Sequence, residues 1–533
     1  MTFRCPPCLV ALVLVPFLAL AGCAGLPSQV QRPVSNAAAA ETVATTTLGR
    51  VAAESAPSQA DGQSGLRLLP DGDQAFDARI ALARSAEKTI DAQYYLIASD
   101  TTGLQFLREL RDAAARGVRV RLLVDDLYAV GQDALFAGLA AHPNVEVRLF
   151  NPLPVREGSF ASRIAFSLHQ FSRINRRMHN KLFVVDNSFA IAGGRNIADE
   201  YFGRAEPANF IDMDVLVSGA AVGEMSTAFD AYWNSEHVYP VQSLAGAAAA
   251  APSAQFAAQF DAQVAAIAPV APLTSRDALG QPPVAAQIAA GRVEQSAGSV
   301  RVLVDAPDKV EARDGADGVV MRAHLELIRS AQSEVLIASP YFVPGERGVA
   351  AMQQAVDRQV RVSVMTNSLA TTDEPLVHYG YSKYRQAMLK MGTTLYELMP
   401  SALARRTEES AAGGYGASGS HGSLGRLHAK VAVVDQRSLY IGSMNMDRRS
   451  AHCNTEVGLI IDSAELARDV ARLLQREQAP RSYRVQWAAA EQRIEWVQTQ
   501  PSGELVHTSE PGAAWNSNLT ARTMALVVNE EML

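Results

Sequence analysis

Two segments of this chain place a histidine two residues before a lysine: Arg177-Met178-His179-Asn180-Lys181 and Arg426-Leu427-His428-Ala429-Lys430. Lysine is scarce, six residues (88, 181, 309, 383, 390 and 430) against 42 arginines, so two of the six sharing one setting is informative. Each pair runs into a β-prone stretch that closes on an aspartate, Leu182–Val185 before Asp186 and Val431–Val434 before Asp435. Six residues later come Gly193-Gly194 or Gly442-Ser443, one variable residue, and Asn196 or Asn445. On a strand, positions i and i+2 share a face, so each imidazole and its ammonium point the same way. The ammonium suits a phosphate oxygen and the imidazole the phosphorus. The small residue of each turn permits close backbone approach, and the asparagine amide donates to another oxygen. Two such sets around one phosphodiester suffice for covalent displacement, so no metal or other cofactor is expected. A compact point charge, where arginine would bring a planar fork, is used at the same place twice.

The elements that must carry these groups also repeat. Helix Arg79–Glu87, strand Thr89–Ile97, helix Gly103–Arg116, strand Val118–Val124 and strand Val145–Phe150 form a βαβ rhythm. It returns as strand Val300–Val304, helix Met321–Ser330, strand Glu334–Ala338, helix Gly348–Arg358 and strand Val360–Thr366. A duplicated α/β unit is expected, with helices on both sheet faces: one domain over 65–240, a second over 300–500. The stretch 241–299 reads as an Ala/Pro-rich low-complexity insertion or linker, and 501–533 as a C-terminal extension. Glu408–Gly425, dense in Gly and Ser, suits either a lid or a solvated loop.

Hydrophobic residues make up 48% and charged residues 19% of 533 residues, a globular composition with ample core. A net charge of −7 argues against a nucleic-acid-coating surface. Of the four cysteines, Cys5 and Cys8 are spaced as CxxC but stand at the head of the apolar N-terminal leader, and no further Cys or His beside them completes a metal or disulfide framework. The remaining eight histidines read as ordinary core or surface residues.

At the N-terminus, Arg4 precedes an apolar run from Leu9 to about Leu20 that ends in Leu20-Ala21-Gly22-Cys23. The run is too short to span ~30 Å of hydrocarbon and reads as a signal segment, residues 1–22. It resembles a bacterial lipobox, which implies acylation of Cys23. Ala24, not Asp, follows, which favours the outer membrane. The expectation is a lipid-anchored protein of the cell envelope facing the periplasm, with 23–64 a flexible tether. Maturation would leave Cys453 as the one remaining thiol.

The paired HxK(x)4D(x)6G[GS]xN pattern resembles the phospholipase D superfamily. Phe171–Lys181, Gly194–Phe202, Thr366–Ala370, Leu395–Leu398 and Asn454–Gly458 further resemble bacterial cardiolipin synthases of the C type. The resemblance covers about Leu66 to the C-terminus, least well over 241–299. It implies two phospholipase D-like domains, each a mixed sheet flanked by helices, packed about a pseudo-twofold axis with one shared active site. It implies a phosphohistidine mechanism, with His179 as nucleophile and His428 as acid and base. Lys181, Lys430, Asn196 and Asn445 would steady phosphoryl charge. Acids after each motif, Asp212 and Glu456, would orient the opposite histidine, with Asp214 a neighbouring competitor. Asp186 and Asp435, of opposite strand parity to the histidines, are expected at the domain interface. Arg163, Arg173, Arg176 and Arg177 are either an anion-attracting patch or a solvated basic face. The implied activity is transfer of a phosphatidyl group to phosphatidylglycerol, from phosphatidylglycerol or phosphatidylethanolamine, giving cardiolipin. Hydrolysis to phosphatidic acid is the alternative, with a nuclease or an inactive lipid-binding protein behind it. The expected partners are phospholipids and a membrane, not nucleic acid; no protein partner is read from the chain.

Overall fold

The computed structural model describes residues 25–512 apart from 28, 57–61, 157, 245–252, 313–314 and 401–422. The signal segment, Cys23 and most of Glu408–Gly425 therefore lie outside the described residues.

In the first half the strands are β1 (Ser64–Leu69), β2 (Thr89–Tyr94), β3 (Arg119–Asp125), β4 (Val145–Phe150), β5 (Leu182–Val185), β6 (Phe189–Gly193), β7 (Ala208–Ile211), β8 (Asp214–Gly219) and β9 (Val238–Pro240). In the second they are β10 (Ser296–Val304), β11 (Glu334–Ala338), β12 (Arg361–Asn367), β13 (Thr394–Leu398), β14 (Leu424–Leu427), β15 (Val431–Val434), β16 (Ser438–Gly442), β17 (Val457–Asp462), β18 (Ser482–Ala488), β19 (Arg493–Gln500) and β20 (Gly503–His507).

Hydrogen-bonded neighbours give the order β1-β8-β6-β5-β2-β3-β4-β9 in the first half. The second half repeats it as β10-β17-β16-β15-β11-β12-β13-β18, then adds β19 and β20. In both, the central trio (β2-β3-β4, β11-β12-β13) is parallel and the rest antiparallel. The trio needs crossovers, and helices supply them. Thr101–Ala115, capped by the Asp100 side chain, joins β2 to β3 and ends at Gly117, whose φ of 96° suits glycine. Gly345–Asp357 does the same between β11 and β12. Strands β1 and β10 pair antiparallel, so the two sheets are continuous.

The motif strands β5 and β15 are buried at every position and sit mid-sheet, which explains their unbroken apolar runs. Apolar residues of both halves, among them Leu182, Val184, Val431 and Val433, share one core between the sheets.

Three regions depart from the expectations above. Residues 29–56 lie against the first domain and not as a free tether. Arg148 donates to the Pro33 carbonyl at 2.7 Å and Arg121 to that of Ser35 at 2.6 Å. Helix Thr47–Ser55, capped by Thr46, buries Leu48, Val51 and Ser55 at helical spacing. The insertion 241–299 is likewise partly ordered: Phe260 and Val264 of helix Ser253–Ala265 and Val284 of helix Val284–Ala289 enter the first domain's core. Alanine-rich segments of low complexity still form helices when one stripe finds a core. The C-terminal extension starts inside the second sheet, where β20 pairs with β19, and Glu510 beyond it binds Arg385 at 3.0 Å.

Candidate active site

Both His-x-Lys pairs sit at the start of their motif strands, and each is threaded beside the other domain. Strand β14, running into His428, pairs with β7, which runs into Asp212. Met178, just before His179, bridges to Thr455, just before Glu456. The two junctions match in detail. The His428 backbone N–H donates to the Ile211 carbonyl at 2.8 Å, and that of His179 to the Thr455 carbonyl at 2.9 Å. Each histidine is thus pinned next to an acid of the opposite half. His179 Nδ1 lies 2.9 Å from Glu456 Oε2, and His428 Nδ1 lies 2.6 Å from Asp212 Oδ2. With Nδ1 facing its acid, Nε2 of each ring is the atom left for chemistry, and in His428 the Lys430 ammonium stands 3.2 Å from it.

Further residues hold these backbones. Asp125, at the end of β3, accepts from the Met178 N–H at 2.8 Å and pairs with Arg177. Asn367, at the end of β12, brackets Leu427 through both its N–H and carbonyl, at 2.8 and 2.9 Å. These two supports were missed in the sequence, although Asp125 closes a buried strand, where polar groups need a purpose.

Lys181 and Lys430 each donate to the carbonyl of their own histidine at 2.6 Å. Asn196 donates to the Tyr201 hydroxyl at 2.8 Å, while the buried Oδ1 of Asn445 has no partner among the described residues. Gly194 is required: a Cβ there would collide with the Asp212 carboxylate. Its counterpart Ser443 instead donates to Glu456 Oε2 at 2.5 Å. The two halves differ at this point.

Both imidazoles line one cavity of about 390 Å³, ringed by Tyr95, Tyr128, Tyr201, Phe210 and Tyr341, with Glu200, Asp373, Glu374, Asp447 and Arg449. Tyr95 stands edge-on to His179 and Tyr201 to His428, with centroids 4.9 and 5.1 Å apart. Burial pushes His179 down to about 4, against the pull of Glu456 and helped by Lys181. Burial and then Lys430 push His428 well below its ordinary value. Burial brings Lys430 down to about 8 despite Asp212 and Glu456, and drives Lys181 well down too. Burial raises Asp212, whereas in Glu456 the same effect is outweighed by His179, Lys181 and Ser443, which hold it below its ordinary value. The site thus keeps neutral imidazoles beside carboxylates, the state from which a ring nitrogen attacks or takes a proton.

Other sequence candidates stand elsewhere. Asp186 accepts from the N–H groups of Glu87, Lys88 and Thr89 at 2.7–2.9 Å, and Asp435 from those of Gln332, Ser333 and Glu334 at 2.7–3.2 Å. Each clamps a turn of its own domain, not the domain interface. Four strand residues at about 3.3 Å each carry it to the far end from the lysine. Asp214 pairs with Arg79 and Arg195. The arginine cluster is neither an anion-attracting patch nor a solvated basic face. Arg177 holds Asp125, Arg163 holds Asp133, Arg173 binds Asn151, and Arg176 donates to carbonyls of Lys309 and His452.

A family model described as cardiolipin synthase, PLD-like domain, matches residues 80–233 and 324–477, one copy in each half. The chain belongs to that family. It is 34% identical to cardiolipin synthase C of Escherichia coli over 479 residues, covering 89% of this chain and 98% of the relative. It is 30% identical to an uncharacterized protein of Helicobacter pylori over 488 residues, 89% of this chain and 91% of that one. The crystal structure of a phosphatidylserine synthase from Haemophilus influenzae aligns with a TM-score of 0.54 at 14% identity, over 89% of this chain and 96% of that one; the likeness is one of fold. The chain is a phosphatidyltransferase of the phospholipase D type.

Proposed function

We propose that this enzyme makes cardiolipin, moving a phosphatidyl group onto the hydroxyl of phosphatidylglycerol. The observation that carries the reading is the crossed pairing of His179 with Glu456 and His428 with Asp212 around one cavity. The similarity to cardiolipin synthase C supports the choice of lipid product.

In the first step His179 Nε2 attacks phosphorus and the bond to the leaving alcohol breaks. His428, protonated once the anionic phosphate sits beside it, hands that alcohol a proton. In the second, His428 removes the proton of the incoming glycerol hydroxyl, whose oxygen attacks phosphorus and releases His179. Splitting one displacement into two is what a nucleophilic residue supplies, and the acid and base add roughly 10²–10⁴-fold. His179 suits the nucleophile because its acid, Glu456, is held charged by Ser443 and Lys181 and so stabilises the cationic phosphohistidine. Lys181, Lys430, Asn196 and Asn445 stabilise charge on the equatorial oxygens once phosphate displaces their present contacts.

Purified protein in mixed micelles of phosphatidylglycerol and phosphatidylethanolamine, read by mass spectrometry with EDTA present, should yield cardiolipin. Phosphatidic acid as the sole product would replace the synthase reading with a hydrolase. We further place the enzyme in the cell envelope, facing the periplasm and anchored through Cys23, on the strength of the Leu20–Cys23 motif. Labelled palmitate should enter the wild type and not Cys23→Ala, and membrane fractionation should favour the outer membrane.

A further inference from the structure

Large apolar side chains on the surface concentrate at one place. Nine are exposed among the described residues, and four of these, Phe160, Phe166, Leu168 and Phe171, fall within twelve consecutive residues. Phe166 is 65% exposed and Leu168 53%, well beyond incidental exposure. They belong to helix Phe160–Ser167 and the turns through Ile174. Exposed positions from 158 to 172 are Gly, Ser, Phe, Ala, Ala, Phe, Leu, His, Phe and Ser, with no Lys, Arg, Asp or Glu. The one arginine of the helix, Arg163, turns inward to Asp133.

This uncharged face is fastened to the rim of the catalytic cavity. Asn175, which ends the segment, takes Arg449 on its side chain at 2.7 Å and on its carbonyl at 3.0 Å, and Arg449 lines the cavity. On the other side Asp133, the anchor of Arg163, shares Arg156 with Asp126, two residues before Tyr128. Tyr128 is itself exposed and lines the same cavity. A lipid substrate must bring its phosphate into that cavity while its acyl chains stay in an apolar medium. An apolar wedge without charge, held at the cavity rim, meets that geometry.

We propose that residues 160–171 are an interfacial docking element that enters the acyl boundary of a phospholipid bilayer and sets the cavity mouth at headgroup level. The inference rests on phospholipids being the substrates and is independent of which lipid is the product. It is also a membrane contact separate from any anchor at Cys23.

Phe166→Trp and, as a control, Leu505→Trp on the distant edge strand β20 would each be reconstituted into vesicles of phosphatidylglycerol and phosphatidylethanolamine carrying brominated acyl chains. The expected result is strong quenching of the tryptophan introduced at position 166, above the wild-type background, and little of the one introduced at position 505. Equal quenching at both positions would overturn the proposal, whether or not the protein turns lipid over. The triple variant Phe160→Ser/Phe166→Ser/Phe171→Ser should lose about tenfold or more in turnover on vesicles. On a short-chain phosphatidylglycerol below its micelle concentration it should stay within about twofold of wild type, which also establishes that it folds. A triple variant equally active on vesicles, or one whose only change is loss of a dimer, would refute the membrane assignment.

Discussion

Asp212 holds the imidazole of His428 from 216 residues away, its Oδ2 2.6 Å from Nδ1. Glu456 does the same for His179 across 277 residues. Neither half of the molecule therefore holds both a motif imidazole and the carboxylate that faces it. Replacing Asp212 by Asn or Glu456 by Gln should keep the fold and lower kcat by roughly 10²–10⁴-fold, with a smaller change in KM. Steady-state kinetics on mixed micelles would show this; loss confined to KM would mean that the acids bind substrate instead.

The two histidines should separate chemically. His179→Ala and His428→Ala should each abolish turnover. With a phosphatidyl donor labelled at phosphorus and carrying a nitrophenol leaving group, which departs without a proton, acid-labile label should be trapped on the His428→Ala protein and not on the His179→Ala protein. Label on the His179→Ala protein would reverse the assignment of nucleophile.

Gly194 has room only for a hydrogen beside the Asp212 carboxylate. Gly194→Ala should displace that carboxylate and cost activity nearly as much as Asp212→Asn. Ser443→Gly, which removes one hydroxyl from Glu456, should cost far less. Comparable losses for the two would show that the halves tolerate the same change equally.

Asp186, itself fully buried, gathers three backbone N–H groups, whereas Asp435 does so half-buried. Asp186→Ala should destabilise the protein by about 2–4 kcal/mol, and Asp435→Ala by less, since water replaces the lost acceptor there. Urea denaturation would measure both. The folded fraction of each should retain near wild-type kcat, because neither carboxylate reaches the cavity.

His324 offers a pH test away from the site. It is buried against Tyr440, neither ring nitrogen has a hydrogen-bond partner among the described residues, and burial lowers it from 6.5 to about 4. Between those values the unfolded chain binds a proton that the folded chain refuses. Its contribution is therefore full above pH 6.5 and is lost as pH falls toward about 4. His179, lowered for the same first reason, acts in the same direction. His324→Leu should give a flatter stability curve than wild type across that window and unchanged turnover near neutral pH. Parallel curves in urea titrations would contradict the buried, uncharged state.

The periodic content was legible without coordinates. Val145–Phe150, Leu182–Val185, Glu334–Ala338 and Val431–Val434 appear as strands at the expected bounds, most other elements shift by one to four residues at their ends, and the helix expected from Arg79 begins at Gly72. This follows because strand and helix periods are local properties of apolar spacing. Residues in the expected tether and insertion were harder to read. Leu48, Val51, Phe260 and Val284 sit in stretches whose composition is that of a linker, and only a core already built by distant strands gives them something to cover.

The residue types of the site and their doubling are properties of the sequence, since His179, Lys181, His428 and Lys430 follow from spacing along two strands. Their union is not. It depends on β7 pairing with β14 and on Met178 meeting Thr455, contacts between segments hundreds of residues apart whose register no local pattern encodes. The same long-range packing decided that Asp186 and Asp435 clamp turns and that four arginines turn inward, because a charged side chain's role is set by the partner that reaches it.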